Sequence, residues 1–86
     1  VNIQVKFFAS LREQVGTSEL QVSAVNLETL LNALKARLTE TGIEPLLSPN
    51  VRLAVNQDLV KGNWREAELV FTDGDEVAFL PPVTGG

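Results

Sequence analysis

The sequence predicts an α+β domain in which one principal helix packs across a mixed β-sheet. Three observations predict it. Strand-like alternation of apolar and polar residues occupies both ends of the chain. A single apolar stripe at helical spacing lies between them. The chain has 86 residues, enough for one small core and too few for two. A content of 44% hydrophobic and 21% charged residues is that of a folded globular domain rather than a disordered segment.

The first strand comes from Ile3, Val5 and Phe7 alternating with Asn2, Gln4 and Lys6. Phe8 breaks the alternation by putting an aromatic on the polar face. Ser10-Leu11-Arg12-Glu13 has the spacing of a capping box, Leu11 and Val15 share one side, and Gly16 suits a left-handed stop, so a short helix is expected there. Leu20 and Val22 restore the alternation and place a second strand over Ser18–Ser23. Asn26 is a favourable N-cap, with Val25 and Leu30 in staple positions. Leu27, Leu30, Leu31, Leu34 and Leu38 then form the stripe of the principal helix, which Gly42 is expected to close.

Gly42, Pro45 and Pro49 make 41–50 a loop, with one tight turn around Pro45-Leu46-Leu47. Val51, Leu53 and Val55 give a third strand. Asn56-Gln57-Asp58 turns into a short strand at Leu59-Val60. Lys61 to Ala67 is irregular, with Trp64 expected to cover the core. Leu69-Val70-Phe71 is apolar but short, and Thr72-Asp73-Gly74-Asp75 is a tight turn. Glu76 to Leu80 is the last strand, with Val77 and Phe79 on one face and Ala78 and Leu80 on the other. A full crossover separates the first and last strands, so they can pair in parallel. This is the β-grasp arrangement, although element order alone leaves other small α+β folds open.

Composition removes several classes of chemistry. The chain has no Cys and no His, so it carries no disulfide, no thiol nucleophile and none of the commonest general bases or metal ligands. No glycine-rich phosphate loop is present. Asp73, Asp75 and Glu76 flank Gly74 and read as a solvated turn, not a cation loop. Net charge is −4, and Lys6, Arg12, Lys35, Arg37, Arg52, Lys61 and Arg65 are scattered along the chain, which argues against nucleic acid as a partner. No apolar run approaches the ~20 residues of a membrane span. No secretory signal opens the chain at Val1, whose initiator Met is expected to have been removed or left out of the numbering. A cytoplasmic location is therefore expected.

The chain divides into a domain over 1–80 and an extended tail over 81–86, Pro81-Pro82-Val83-Thr84-Gly85-Gly86. Two prolines favour polyproline II and direct the tail away from the sheet. Gly85 and Gly86 have no Cβ, so this end fits a tunnel too narrow for other residues and presents a bare carboxylate. A Gly-Gly end by itself is equally the mark of a frayed terminus; the Pro-Pro-Val-Thr lead-in favours function. With the first and last strands adjacent, Phe8 and Leu80 stand on the sheet face away from the helix, where Leu59 can join them as a partner surface.

Three stretches resemble one family. They are Phe7-Phe8-Ala9-Ser10-Leu11-Arg12-Glu13, Ala54-Val55-Asn56-Gln57, and the run from Asp73 through Phe79-Leu80-Pro81-Pro82-Val83-Thr84 to Gly85-Gly86. The resemblance is to the small subunits of molybdopterin synthase, β-grasp sulfur carriers related to the thiamine-pathway carrier and to ubiquitin. It implies that an E1-like enzyme uses ATP to adenylate Gly86, and that a sulfur donor converts the glycyl-adenylate to 1-thioglycine, a thiocarboxylate. A large synthase subunit, which supplies the catalytic residues, then accepts the tail. There the sulfur goes to a cyclic pterin monophosphate to build the molybdopterin dithiolene. The implied assembly is a heterotetramer of two small and two large subunits, and the implied chain is a non-catalytic donor that binds no cofactor or metal. The resemblance also places Phe8, Leu59, Leu80, Pro81, Pro82, Val83, Thr84 and Gly85 against the partner. Sulfur carriage for thiamine or tRNA thiolation, and protein tagging through an isopeptide bond, stay open as alternatives.

Overall fold

The structure is a computed structural model that describes residues 1–48 and 50–81. Among these residues five strands form one sheet in the order β2-β1-β5-β3-β4, where β1 is Asn2–Phe7, β2 Glu19–Ser23, β3 Arg52–Val55, β4 Asp58–Leu59 and β5 Glu76–Leu80. The terminal strands β1 and β5 pair in parallel at the centre, with Val5 opposite Val77 and Phe7 opposite Phe79. All other pairings are antiparallel. Alternation sends Ile3, Val5, Phe7, Leu53, Val77 and Phe79 to one face, where each is at most 2% exposed.

That face is covered by α2, Leu27–Arg37, through Leu27, Leu30 and Leu34. Asn26 caps α2 in a complete box. Its side chain accepts the N–H of Thr29, and the Thr29 hydroxyl accepts the N–H of Asn26. Phe79 stacks on Phe7 at 5.7 Å and meets the edge of Trp64 at 5.6 Å. Trp64 lies within the core, and its indole N–H donates to the Val51 carbonyl at 2.7 Å. The β-grasp expectation is borne out: one principal helix crosses a mixed sheet whose first and last strands are parallel neighbours.

Local expectations fail at two places. The short helix α1, Ser10–Val15, is preceded by Ala9 as its N-cap and has no side-chain cap, so Ser10 and Glu13 do not form a box. Ala9 instead turns the chain with φ 51°, a region disfavoured for a residue with a Cβ. The principal helix stops at Leu38, which is extended, rather than at Gly42. The Thr39 hydroxyl accepts the Gly42 N–H and restarts a separate turn, α3, over Glu40–Ile43. Leu69-Val70-Phe71 contributes only an isolated bridge from Val70 to Asn26. The expected turn at Pro45 is present as a 3₁₀ turn over Glu44–Leu47, and a second 3₁₀ turn, Trp64–Glu66, lies within the irregular stretch.

Candidate functional site

Strand β5 has neighbours on both sides, so it is held along its whole length up to Leu80. The chain therefore leaves the sheet from its middle strand. Pro81 is half-buried and borders a groove of about 710 Å³ between α1 and the first 3₁₀ turn, beside Leu11, Pro45 and Leu47. Pro82, Val83, Thr84, Gly85 and Gly86 lie outside the described residues.

The sheet face opposite α2 is built in rows by the strand register. Nearest the tail, Leu80 pairs with Arg52, and Phe8, one residue beyond the Phe7–Phe79 pair, comes alongside Leu80. The Phe8 N–H donates to the Phe79 carbonyl at 3.2 Å, which continues β1 by one step. The next row is Lys6, Ala78, Ala54 and Leu59. Phe8 is 42% and Leu59 52% exposed, while Leu80 is half-buried. Ala54 and Ala78 are buried between these taller neighbours and make a flat apolar floor. Lys6 pairs with Glu76 at 3.1 Å and bounds the floor on the β1 side.

The sequence singled out Phe8, Leu59 and Leu80, and the register sets all three on this one face. It did not single out Ala54, Ala78 or Arg52. Their signal is the second phase of the alternation in β3 and β5, the phase that carries no core residue.

The acidic turn is occupied structurally. The Asp73 carboxylate accepts the Asn2 N–H at 2.8 Å. Asp75 accepts the Thr72 N–H and hydroxyl and the Asn56 side-chain amide. Its carboxyl is held below the ordinary value, first by the Thr72 backbone bond and then by Asn56. Glu76 is committed to Lys6. Among the described residues, no group of three or more His, Cys, Asp or Glu side chains is placed to hold a metal ion. No helix among them is long and apolar enough to cross a membrane.

The helix laid across a sheet whose first and last strands are parallel neighbours at its centre defines a ubiquitin-like β-grasp protein. Comparison with known proteins narrows this class. The ThiS family profile matches residues 5–86, and the chain belongs to the ThiS family. It is 42% identical over 86 residues to the molybdopterin synthase sulfur carrier subunit of Escherichia coli strain K12, covering 98% of this chain and 99% of the relative. Among solved structures it is similar to the small archaeal modifier protein 1 of Methanosarcina acetivorans, with TM-score 0.75, 30% identity, and coverage of 100% and 97%. It is also similar to a chain in the complex of subunits 1 and 2 of the molybdopterin-converting factor from Helicobacter pylori, with TM-score 0.69, 26% identity and full coverage of both chains.

Proposed function

We propose that this chain is the sulfur-carrier subunit of a molybdopterin synthase, acting in the cytoplasm as a donor and not as the catalyst. The observation that carries the reading is the 42% identity, across nearly the whole of both chains, to the Escherichia coli carrier subunit. The family match runs through residue 86, so it includes the Gly85-Gly86 end.

The chemistry follows from a carboxylate that is inert until activated. A Gly86 carboxylate oxygen attacks the α-phosphorus of ATP on an E1-like partner, and pyrophosphate leaves. Hydrosulfide supplied by a sulfur donor then attacks the acyl carbon, AMP leaves, and Gly86 carries a thiocarboxylate. That group stays ionised at neutral pH and is a better nucleophile than the carboxylate. In a large-subunit active site its sulfur attacks a side-chain carbon of the cyclic pterin monophosphate and the oxygen substituent on that carbon leaves; water then cleaves the acyl–sulfur bond, which restores the carboxylate and leaves the sulfur on the pterin. The slim tail, Pro81 to Gly86, spans roughly 20 Å when extended, enough to reach a recessed site while Phe8, Leu59 and Leu80 rest on the partner's surface. The groups that bind the pterin phosphate and move protons belong to that partner.

A variant with one bulky residue appended after Gly86 tests this. It is expected to fold normally and to lose molybdoenzyme activity in a strain that depends on it. Full activity refutes the reading. The likeness to a small archaeal modifier protein favours one second reading, attachment to lysines through Gly86. Covalent adducts in cells that vanish on Gly86 deletion, together with intact molybdoenzyme activity, select it.

A further inference from the structure

The basic residues that look scattered in sequence are not all scattered in space. Arg52 stands opposite Leu80 on the outer sheet face. Ala54 pairs with Leu59, and the Val60 N–H donates to the Leu53 carbonyl at 2.8 Å, closing the last pair of the β3–β4 ladder. Carried past its last pair, this register brings Lys61 across from Arg52, and Val60 and Gly62, which flank Lys61, line one groove with Arg52. Both side chains are exposed, and neither has an ion-pair partner among the described residues. Like charges directly opposite one another destabilise a sheet. The Lys6–Glu76 pair neutralises itself on the β1 side and so does not compensate them. Arg65 is committed elsewhere, donating to the Leu47 carbonyl and lying over the Trp64 ring. On a chain of net charge −4, two uncompensated cations thus share the row from which the tail leaves.

We propose that Arg52 and Lys61 form a cationic clamp for a carboxylate on the protein that docks over this face, at the edge where that protein admits the tail. The proposal rests on the reading of Phe8, Leu59 and Leu80 as a docking surface. The occupant is a protein carboxylate because the cations adjoin an apolar floor, so whatever covers the row brings apolar area together with its negative charge. The guanidinium fork suits a carboxylate bidentately and the ammonium adds a second donor. An acidic group placed there removes the Arg52–Lys61 repulsion on binding and fixes the docking direction, since the opposite margin is self-neutralised.

The test is calorimetric binding of the large molybdopterin synthase subunit, across a salt series, to the wild-type carrier, the double variant Arg52→Gln/Lys61→Gln, and Phe8→Ala. The double variant is expected to bind about tenfold more weakly at low salt and to lose most of its salt dependence. Its melting temperature is expected to be unchanged or raised, because a repulsion has been removed. A carbodiimide crosslink from Lys61 to a large-subunit Asp or Glu is expected in the wild-type complex. If the double variant keeps wild-type affinity and salt dependence while Phe8→Ala weakens binding, the clamp is wrong and the docking face stands. If neither variant changes binding, the docking face fails with it. If inorganic phosphate shifts the Arg52 and Lys61 NMR signals of the free carrier while the double variant still binds normally, the pair is a small-anion site and the proposal is overturned.

Discussion

Truncating Phe8 to Ala separates docking from folding. Phe8 is 42% exposed in the free domain, so the part left for a partner to cover is a definite fraction of the ring. With ~200 Å² for a full Phe side chain, roughly 80 Å² remains uncovered. At about 25 cal/mol per Å², covering it contributes about 2 kcal/mol to docking. That corresponds to a Kd about thirtyfold weaker for Phe8→Ala. The domain should barely notice the change. Phe8 lies outside the buried cluster that Phe7, Phe79 and Trp64 share, and its N–H bond to Phe79 is made by the backbone. Isothermal calorimetry with the large synthase subunit, alongside thermal melting of the free carrier, measures both quantities. A Kd within threefold of wild type, with the melting temperature unchanged, would refute the assignment of this face to docking.

Other consequences concern the scaffold. Phe79 is fully buried on the central strand against Phe7 and Trp64, so Phe79→Ala should cost about 3–5 kcal/mol in urea unfolding; a loss under 1 kcal/mol would contradict its central place. Asn56 and Gln57 have φ values of 51° and 72°, the signature of a two-residue I′ hairpin turn, and the second position favours Gly. Gln57→Gly should therefore stabilise the domain by up to about 1 kcal/mol, and destabilisation would count against this turn. Asp75 has a folded pKa below its ordinary 3.8, so its contribution is fully present above that value and is lost as pH falls toward the lower folded value. Unfolding followed from pH 5 downward should show this loss, and Asp75→Asn should flatten it; an unaltered acid limb in the variant would show that the Thr72 and Asn56 bonds contribute nothing.

Legibility in the sequence followed the length scale of the signal. The alternation of β1 and β5 and the leucine stripe of α2 are sustained patterns set by burial, and they gave the architecture and the core. Asn26 was legible as a cap because its partner Thr29 lies within the same turn. Features resting on one side chain were not. The Ser10–Glu13 spacing satisfies a capping rule, yet the chain enters α1 through a strained Ala9. The stop at Leu38 depends on Thr39 capturing the Gly42 N–H, an event that the stripe continuing through Leu38 conceals. For the candidate site, Phe8 and Leu80 stood out as apolar residues on the wrong phase of their strands. Arg52 and Lys61 did not, because nine positions separate them in sequence and only the hairpin register, carried past its last pair, brings them across from one another.

The central claim, that the reactive group of this chain is the carboxyl of Gly86, is tested most directly by intact and fragment mass spectrometry. The carrier is incubated with its E1-like activating enzyme, ATP and a sulfur donor. One oxygen is expected to be replaced by sulfur, with the change at Gly86 and dependent on ATP. An unmodified terminus under conditions that load a known carrier, or sulfur found on any other residue, would contradict it.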